Sequence, residues 1–396
     1  MALEKAYIPY GGYWSTPYCR WQGSLADYHS IELAGRVGRG FLQTSEIPPE
    51  TFDSVVLGTT VTQQYGFYGA PWLAAMLGAD GVTGPTVSQA CATSARALAS
   101  AAVEIEVGQR DCVLTVGCDR TSNGPHIYYP DPNGMGGQGS VEDPVLGNMN
   151  HDPHAGLAMV QTAENLVREA GIAREEQDSL TVQRYEQYQA ALADDRAFQK
   201  RYMVAVELMR RGRVVGELAA DEGVHETTAE GLAKLRPVVD GGTVTFGSQT
   251  HPADGNSGII VCGRERAAEL ARQPIPIRLV SYGEARVESG MMPKAGVPAA
   301  SDALRRAGID ASQCAAIKTH NPFAAADVFF CRQFDLATEK VNNYGSTLIW
   351  GHPQAPMGMR AVIELIEELA IRGGGYGLFS GCAGGDSAMA VVIEVG

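Results

Sequence analysis

Four residues of this chain could carry covalent and proton-transfer chemistry: Cys91, His320, His352 and Cys382. Cys91 lies in VSQACATSARA, at the start of a helical period. A thiol there meets free N–H groups and the positive end of the helix dipole, which both favour thiolate. A thiolate can hold an acyl group as a thioester. The competing reading is an inert buried cysteine, the usual fate of a free one. His352, in WGHP, stands ahead of a second helical period. Pro353 suits a first helical turn, and an imidazole there could take a thiol proton, or could be purely structural. Cys382, in FSGCAGGD, follows a strand-like run. Gly381, Gly384 and Gly385 would let backbone N–H groups reach an oxyanion, although a plain tight turn uses the same residues. His320, in KTHNPFA, closes a buried strand, where ligand crevices form in α/β proteins. Asn321–Pro322 also suits a simple turn.

Other candidates are weaker. His151-Asp152-Pro153-His154 has no third metal ligand nearby and reads as a loop. No Walker loop, GxGxxG ahead of a helix, HExxH or GxSxG elbow is present. The aromatic start, with Tyr7, Tyr10, Tyr13, Trp14, Tyr18 and Trp21, would pack a core or line a pocket.

The elements that must position these residues alternate. Ser54–Gly58, Val113–Val116, Val244–Phe246, Ile277–Tyr282, Ala315–Lys318 and Ala388–Val395 read as strands. Ala92–Val107 and Gly358–Ile371 carry apolar residues at helical spacing, the second with Val362, Leu365, Ile366 and Leu369 on one face. This alternation predicts an α/β fold with buried sheets. Residues 119–240 differ: a Gly/Pro/Asn-rich stretch at 130–156 precedes charged helices at 162–171 and 174–193, as in an insertion. A weak repeat is visible. Thr86–Gly117 and Asn342–Gly385 both run polar loop, chemistry-bearing residue, helix, glycine break and strand.

Composition bounds the answer. With 396 residues, 45% of them hydrophobic, the chain is long enough for more than one core. A net charge of −14 with only six lysines argues against nucleic acid or an anionic membrane as the general partner. Eight scattered cysteines without a CxxC pair suggest reduced thiols and a cytoplasmic location. Met1–Lys5 is unlike a secretory signal. The longest uncharged stretch, Ser54–Ala79, is too rich in Thr, Gln, Gly and Pro to span a membrane.

Taken together and in order, these segments resemble a thiolase along essentially the whole chain. SLADYHSIELAGR at Ser24–Arg36 is similar to the family's opening segment, QACATSARAL at Gln89–Leu98 to its nucleophile loop, and Ala158–Asp178 to its loop-domain helix pair. GNSG at Gly255–Gly258, HNPFA at His320–Ala324, GHP at Gly351–Pro353 and CAGG at Cys382–Gly385 complete the set. HNPF in place of NEAF resembles the branch that includes sterol-carrier-protein-type and archaeal thiolases.

The resemblance implies a five-layered αβαβα fold of two pseudo-duplicated halves, residues 1–118 with 241–272 and residues 273–396, with a loop domain inserted at 119–240. It implies Cys91 as acyl-accepting nucleophile, His352 as its base and an N–H donor, and Cys382 as the acid/base at the acetyl-CoA methyl carbon. The N–H groups of Cys91 and Gly384 would form one oxyanion hole, and His320 would help form the other. Ser257 would lie near the CoA pantetheine, and Met159, Met292, Asn321 and Phe323 against the substrate. CoA enters as a substrate, with no metal or bound cofactor. The partners implied are a second copy, with a tetramer also known in the family, and, in related branches, a small zinc-ribbon/OB-fold companion. Two readings compete: a ketoacyl-synthase-like condensing enzyme, which usually lacks the second cysteine, and a noncatalytic CoA- or lipid-binding protein, which needs none of these residues. Ala355, Pro356 and Met357 depart from the family's GHPxGxxG, and Ala158 stands where biosynthetic members often have histidine, so acetoacetyl-CoA is not implied as the substrate.

Overall fold

The computed structural model describes residues 2–396. Its first third folds as β1 (Tyr13–Ser15), β2 (Cys19–Arg20), α1 (Ser30–Thr44), β3 (Ser54–Gly58), α2 (Gly69–Leu77), β4 (Thr86–Val87), α3 (Thr93–Glu106) and β5 (Cys112–Arg120). Smaller elements follow: the hairpin β6 (Ile127–Tyr129) and β7 (Ser140–Glu142), then α4 (Leu146–Asn150), α5 (Met159–Ala170), α6 (Arg174–Arg196), the hairpin β8 (Val206–Arg210) and β9 (Arg213–Leu218), and α7 (Ala229–Ala233). The chain returns with β10 (Ala253–Cys262), α8 (Arg264–Leu270), β11 (Ile277–Arg286), α9 (Gly296–Ala307), β12 (Cys314–His320) and α10 (Ala324–Gln333). It ends with α11 (Thr347–Trp350), α12 (Met357–Arg372), β13 (Gly375–Ala383) and β14 (Ser387–Val395).

Two sheets carry the fold. The first runs β4-β3-β5-β10-β1, with β2 also on β10, and the second runs β12-β13-β14-β11. Their directions match. β3–β5 and β12–β13 are parallel, β5–β10 and β13–β14 antiparallel, and β10–β1 and β14–β11 antiparallel. The weak sequence repeat is therefore a structural duplication. Where β13 and β14 are joined by the turn Gly384–Asp386, β5 and β10 are separated by residues 121–252.

Side-chain alternation builds the layers. Val55, Leu57, Leu114, Val116 and Ile260 face outward onto α1 and α2. Their neighbours Val56, Val113, Ile259 and Val261 face inward onto α3 and α12. In the second sheet Val391 and Ile393 face the same central helices, while Ala390 and Val392 face α9. Helix, sheet, helices, sheet, helix gives the five layers.

Three sequence expectations change. Val244–Phe246 is not a strand but an extended loop: the Glu164 carboxylate accepts the Thr243 and Val244 N–H groups, and Phe246 is 74% exposed. β10 was hidden by its polar, glycine-bearing start, ADGNSG. Its ladder to β5 and the seats its glycines leave for aromatic rings make it a strand, since a Cβ on Gly258 would lie 2.2 Å from the Trp14 ring. Helix α12 is buried all round rather than on one face. Its Arg360 and Glu364 pair with Asp221 and Lys318, and Glu367 accepts from Tyr10, Tyr13 and Arg201. Buried charges are tolerated when paired in this way.

Candidate active site

The two central helices aim their N-terminal loops at one point. Cys91 precedes α3 on a turn in which Ala90 has φ +43°, a left-handed conformation that costs a residue with a Cβ about 1–2 kcal/mol. The turn is held by Ala92 N–H to Gln89 O at 2.9 Å and Thr93 Oγ1 to Ala90 O at 2.7 Å. His352 precedes α12, and its Nε2 lies 3.0 Å from Cys91 Sγ. The Gly384 and Cys91 N–H groups also reach the sulfur and lower its pKa, but burial outweighs them and pushes the thiol up to about 11. Burial, with help from nearby His251, pushes His352 down to about 3. Burial therefore works against the helix start, favouring the neutral thiol and the neutral imidazole.

The tautomer matters. The Gln354 N–H points at His352 Nδ1 from 3.3 Å, so the neutral ring carries its proton on Nε2, facing the sulfur. In that form the ring is an N–H donor toward the sulfur or a substrate oxygen. To accept the thiol proton it must carry its proton on Nδ1 instead, giving up a contact already long for a hydrogen bond.

His320 ends β12 with its ring centroid 4.4 Å from that of His352. Its Nδ1 lies 3.2 Å from Thr347 Oγ1, its buried Nε2 has no partner among the described residues, and the residue lines the cavity. Burial and the neighbouring His352 hold its pKa well below the usual imidazole range. Cys382 closes β13, the neighbour of β12, and is 2% exposed. Burial, and the repulsion that a Cys91 thiolate would add, raise its pKa, so it rests as a thiol. It packs beneath the cavity wall, whereas Gly384 and Gly385 form part of that wall.

The cavity measures about 610 Å³. Met159, Met292 and Phe323 line it as the resemblance implies, joined by Leu146, Met149 and Val160. Two expected residues are elsewhere. Ser257 is fully buried on β10 and bonds Ser15 Oγ at 2.9 Å; the hydroxyl that this segment presents to the cavity is Thr250. GNSG is strand here, and its serine faces Ser15 and Tyr18 rather than the cavity. Asn321 is also off the cavity wall. Its Nδ2 donates to Asp327 and Ser346, and its Oδ1 accepts from Leu348 N–H, so it fixes the backbone around His320. The aromatics Tyr10, Tyr13, Trp14 and Tyr18 are core residues and do not wall the cavity. Sequence reasoning also missed His151, Asp152 and Pro153 as cavity residues: the loop is pinned by Asp152 Oδ1 accepting from His154 and Ala155 N–H.

Among the described residues, one group of potential metal ligands is close: Cys91, His320 and His352, with ligand atoms within 4.8 Å. The Cys91–His352 pair at 3.0 Å is tighter than the roughly 3.5 Å that separates sulfur and nitrogen on a tetrahedral zinc. The spacing fits a hydrogen bond better than a shared ion.

A thiol–imidazole pair at the meeting point of two duplicated α/β halves, beside glycine N–H donors and a second buried thiol, defines a class of acyl-transferring thiol enzymes. Comparison with known proteins gives the family. The description "Thiolase, N-terminal domain" matches residues 13–265 and "Thiolase, C-terminal domain" residues 273–395. The beta-ketothiolase BktB of Cupriavidus necator is 31% identical over 94% of this chain and 95% of its own. The mitochondrial 3-ketoacyl-CoA thiolase of Homo sapiens is 29% identical over 96% of both. The crystal structure of that human enzyme in complex with CoA superposes with a TM-score of 0.90 at 28% identity, covering 100% of this chain and 99% of that one. The Bacillus anthracis acetyl-CoA acetyltransferase structure gives 0.92 at 29%, with the same coverage. The chain belongs to the thiolase family.

Proposed function

We propose that the chain is a thiolase that cleaves a 3-oxoacyl-CoA with CoA, or runs the reverse Claisen condensation, through an acyl group carried on Cys91. It is an acyltransferase, with CoA as substrate. The observation that carries the residue assignment is the 3.0 Å contact between His352 Nε2 and Cys91 Sγ, beneath the Gly384 N–H. With the His352 ring in its Nδ1–H tautomer, Cys91 gives its proton to Nε2 and its sulfur attacks the C3 carbonyl of the substrate. The C2–C3 bond breaks, its electron pair passes into the thioester as an enolate, and the Cys382 thiol protonates C2 to release acetyl-CoA. The CoA thiol then gives its proton to the Cys382 thiolate and its sulfur attacks the Cys91 thioester; acyl-CoA forms as the Cys91 sulfur leaves and takes back the proton held by His352. His320 Nε2 and His352 Nε2 are the donors to the enolate oxygen, and the Cys91 and Gly384 N–H groups are the donors to the thioester oxygen. The methionine-rich wall favours an apolar acyl group larger than acetyl.

The same reading divides the chain into two sheet-bearing halves, 1–118 with 241–272 and 273–396, and an inserted loop domain at 119–240. The exposed Tyr65, Phe67 and Tyr68, beside the two-residue edge strand β4, support a homodimer. A tetramer is the alternative that light scattering of the purified chain resolves, and a companion protein is one that co-purification from the native source resolves. Among the described residues no helix is long and apolar enough to cross a membrane, and we place the protein in the cytoplasm on its eight unpaired thiols.

The test is a panel of 3-oxoacyl-CoAs with and without CoA, with the acyl-enzyme trapped and located by mass spectrometry. An adduct on Cys91 that CoA discharges is expected. No adduct with any member would sink the assignment. Among the competing readings, a condensing enzyme would form its adduct but require a decarboxylating partner substrate.

A further inference from the structure

Asp119, at the end of β5, is a buried carboxylate outside the acyl-transfer steps. Its Oδ1 accepts from Thr59 Oγ1, Thr60 N–H and Val61 N–H, each at 2.9 Å. Its Oδ2 accepts from Thr60 Oγ1 at 2.7 Å and Ala355 N–H at 2.9 Å. So many donors on one carboxylate fix it in place and fix whatever they belong to. Thr60 and Ala355 lie in loops from different halves of the chain, and the second loop carries His352.

The contact continues to the imidazole. Thr60 Oγ1 is 2.7 Å from the Gln354 side-chain amide as well as 2.7 Å from Asp119. The Thr60 hydroxyl stands between two acceptors, Asp119 Oδ2 and Gln354 Oε1, and ties the one to the other. Gln354 is held with φ +62°, and from that conformation its backbone N–H meets His352 Nδ1. Among the described residues nothing else bonds that nitrogen. The far side of the loop is fixed too: Ser94 Oγ, one turn after Cys91, donates to Ala355 O, and Tyr18 OH donates to Pro356 O at 2.9 Å. Gly117 leaves room for the loop, since a Cβ there would lie 2.8 Å from Pro356 Cα.

We infer that Asp119 is a positioning residue for acyl transfer: through Thr60, Gln354 and Ala355 it sets the orientation of the His352 ring against Cys91. This rests on the thiolase reading of the Cys91–His352 pair.

The experiment compares wild type with Asp119→Asn, Thr60→Val and Thr60→Ser, measuring kcat, KM for CoA, thermal midpoint and the rate of Cys91 acylation by mass spectrometry. Wild-type acylation tests the thiolase reading by itself, since its absence fails that reading before any variant is made. Given that acylation, Asp119→Asn is expected to lower kcat and the Cys91 acylation rate by about tenfold or more, as misplacement of a catalytic group does, with KM for CoA within about threefold. Thr60→Val should move both rates the same way, and Thr60→Ser, which keeps the hydroxyl, should restore them. A purely structural role would lower the thermal midpoint and leave the acylation rate of the folded protein unchanged, which overturns the inference. So does a Thr60→Val enzyme as fast as wild type, a variant that remains informative if Asp119→Asn does not fold.

Discussion

At the scale of single residues, the site works with neutral groups. Burial moves Cys91 and His352 in opposite directions, to about 11 and about 3, so neither is charged near pH 7. Nucleophile and base are then activated only as the substrate arrives. Iodoacetamide alkylation of Cys91 should accordingly keep rising, about tenfold per pH unit, from pH 7 to beyond 9. A plateau below pH 8 would instead mean a resting thiolate–imidazolium pair. His320 offers an unpartnered donor where negative charge develops. Replacing it by Ala should lower kcat by about 100-fold, the scale of losing one oxyanion donor, and Asn should retain part of the rate. Cys382→Ser should slow carbon–carbon cleavage while simple acyl-CoA donors still acylate Cys91, read as separate rates by rapid quench. Loss of acylation in that variant would reverse the assigned roles.

At the scale of elements, α12 is the piece on which the site hangs. It carries His352 at its start, packs on α3 behind Cys91, and is enclosed by both sheets. Such a helix is usually apolar all round, but this one buries Arg360, Glu364, Glu367 and Glu368. Arg360 also lies over the rings of Tyr18 and Trp350, 4.8 and 4.6 Å from their centroids. Glu364 neutralises both Lys318 and Arg360. Glu364→Ala would leave those cations underpaired in the core and should destabilise the fold by about 3–5 kcal/mol, measured by the urea midpoint. Periodicity made α12 legible as a helix with one apolar face, but the burial of its charged residues was not legible. Their partners Asp221, Lys318 and Arg201 are too far away in sequence for any local pattern to show them.

At the scale of the whole molecule, duplication explains where the site is. Equivalent strands β5 and β13 carry Asp119 and Cys382 at their carboxyl ends, and equivalent helices α3 and α12 bring Cys91 and His352 from opposite halves. One consequence is acid sensitivity. His352, His251 and His320 all have folded pKa values below their unfolded ones, so the folded state binds fewer protons and loses stability as pH falls below about 6.5. His352 alone should cost about 2 kcal/mol at pH 5. Asp119, raised to about 6 by burial, has the opposite sign and offsets part of this. The thermal midpoint should therefore fall between pH 7 and pH 5. A flat or rising midpoint over that range would contradict burial of the three imidazoles.

What the sequence determined by itself was local. Small residues after Cys91, apolar spacing in α3 and α12, and β-branched runs in β3 and β14 specify their own conformations, and the ordered short segments carry the family. Only the tertiary structure decided the rest. It put Ser257 and Asn321 into internal hydrogen bonds and Thr250 into the cavity, made a strand of ADGNSG, turned the dipole-favoured thiolate into a buried thiol, and gathered Asp119, Thr60 and Gln354 behind His352. Each of those outcomes depends on burial or on a partner outside the local segment, from the 25 residues between Asn321 and Ser346 to the 242 between Ser257 and Ser15. Desolvation and long-range hydrogen bonds exist only once the chain has closed on itself.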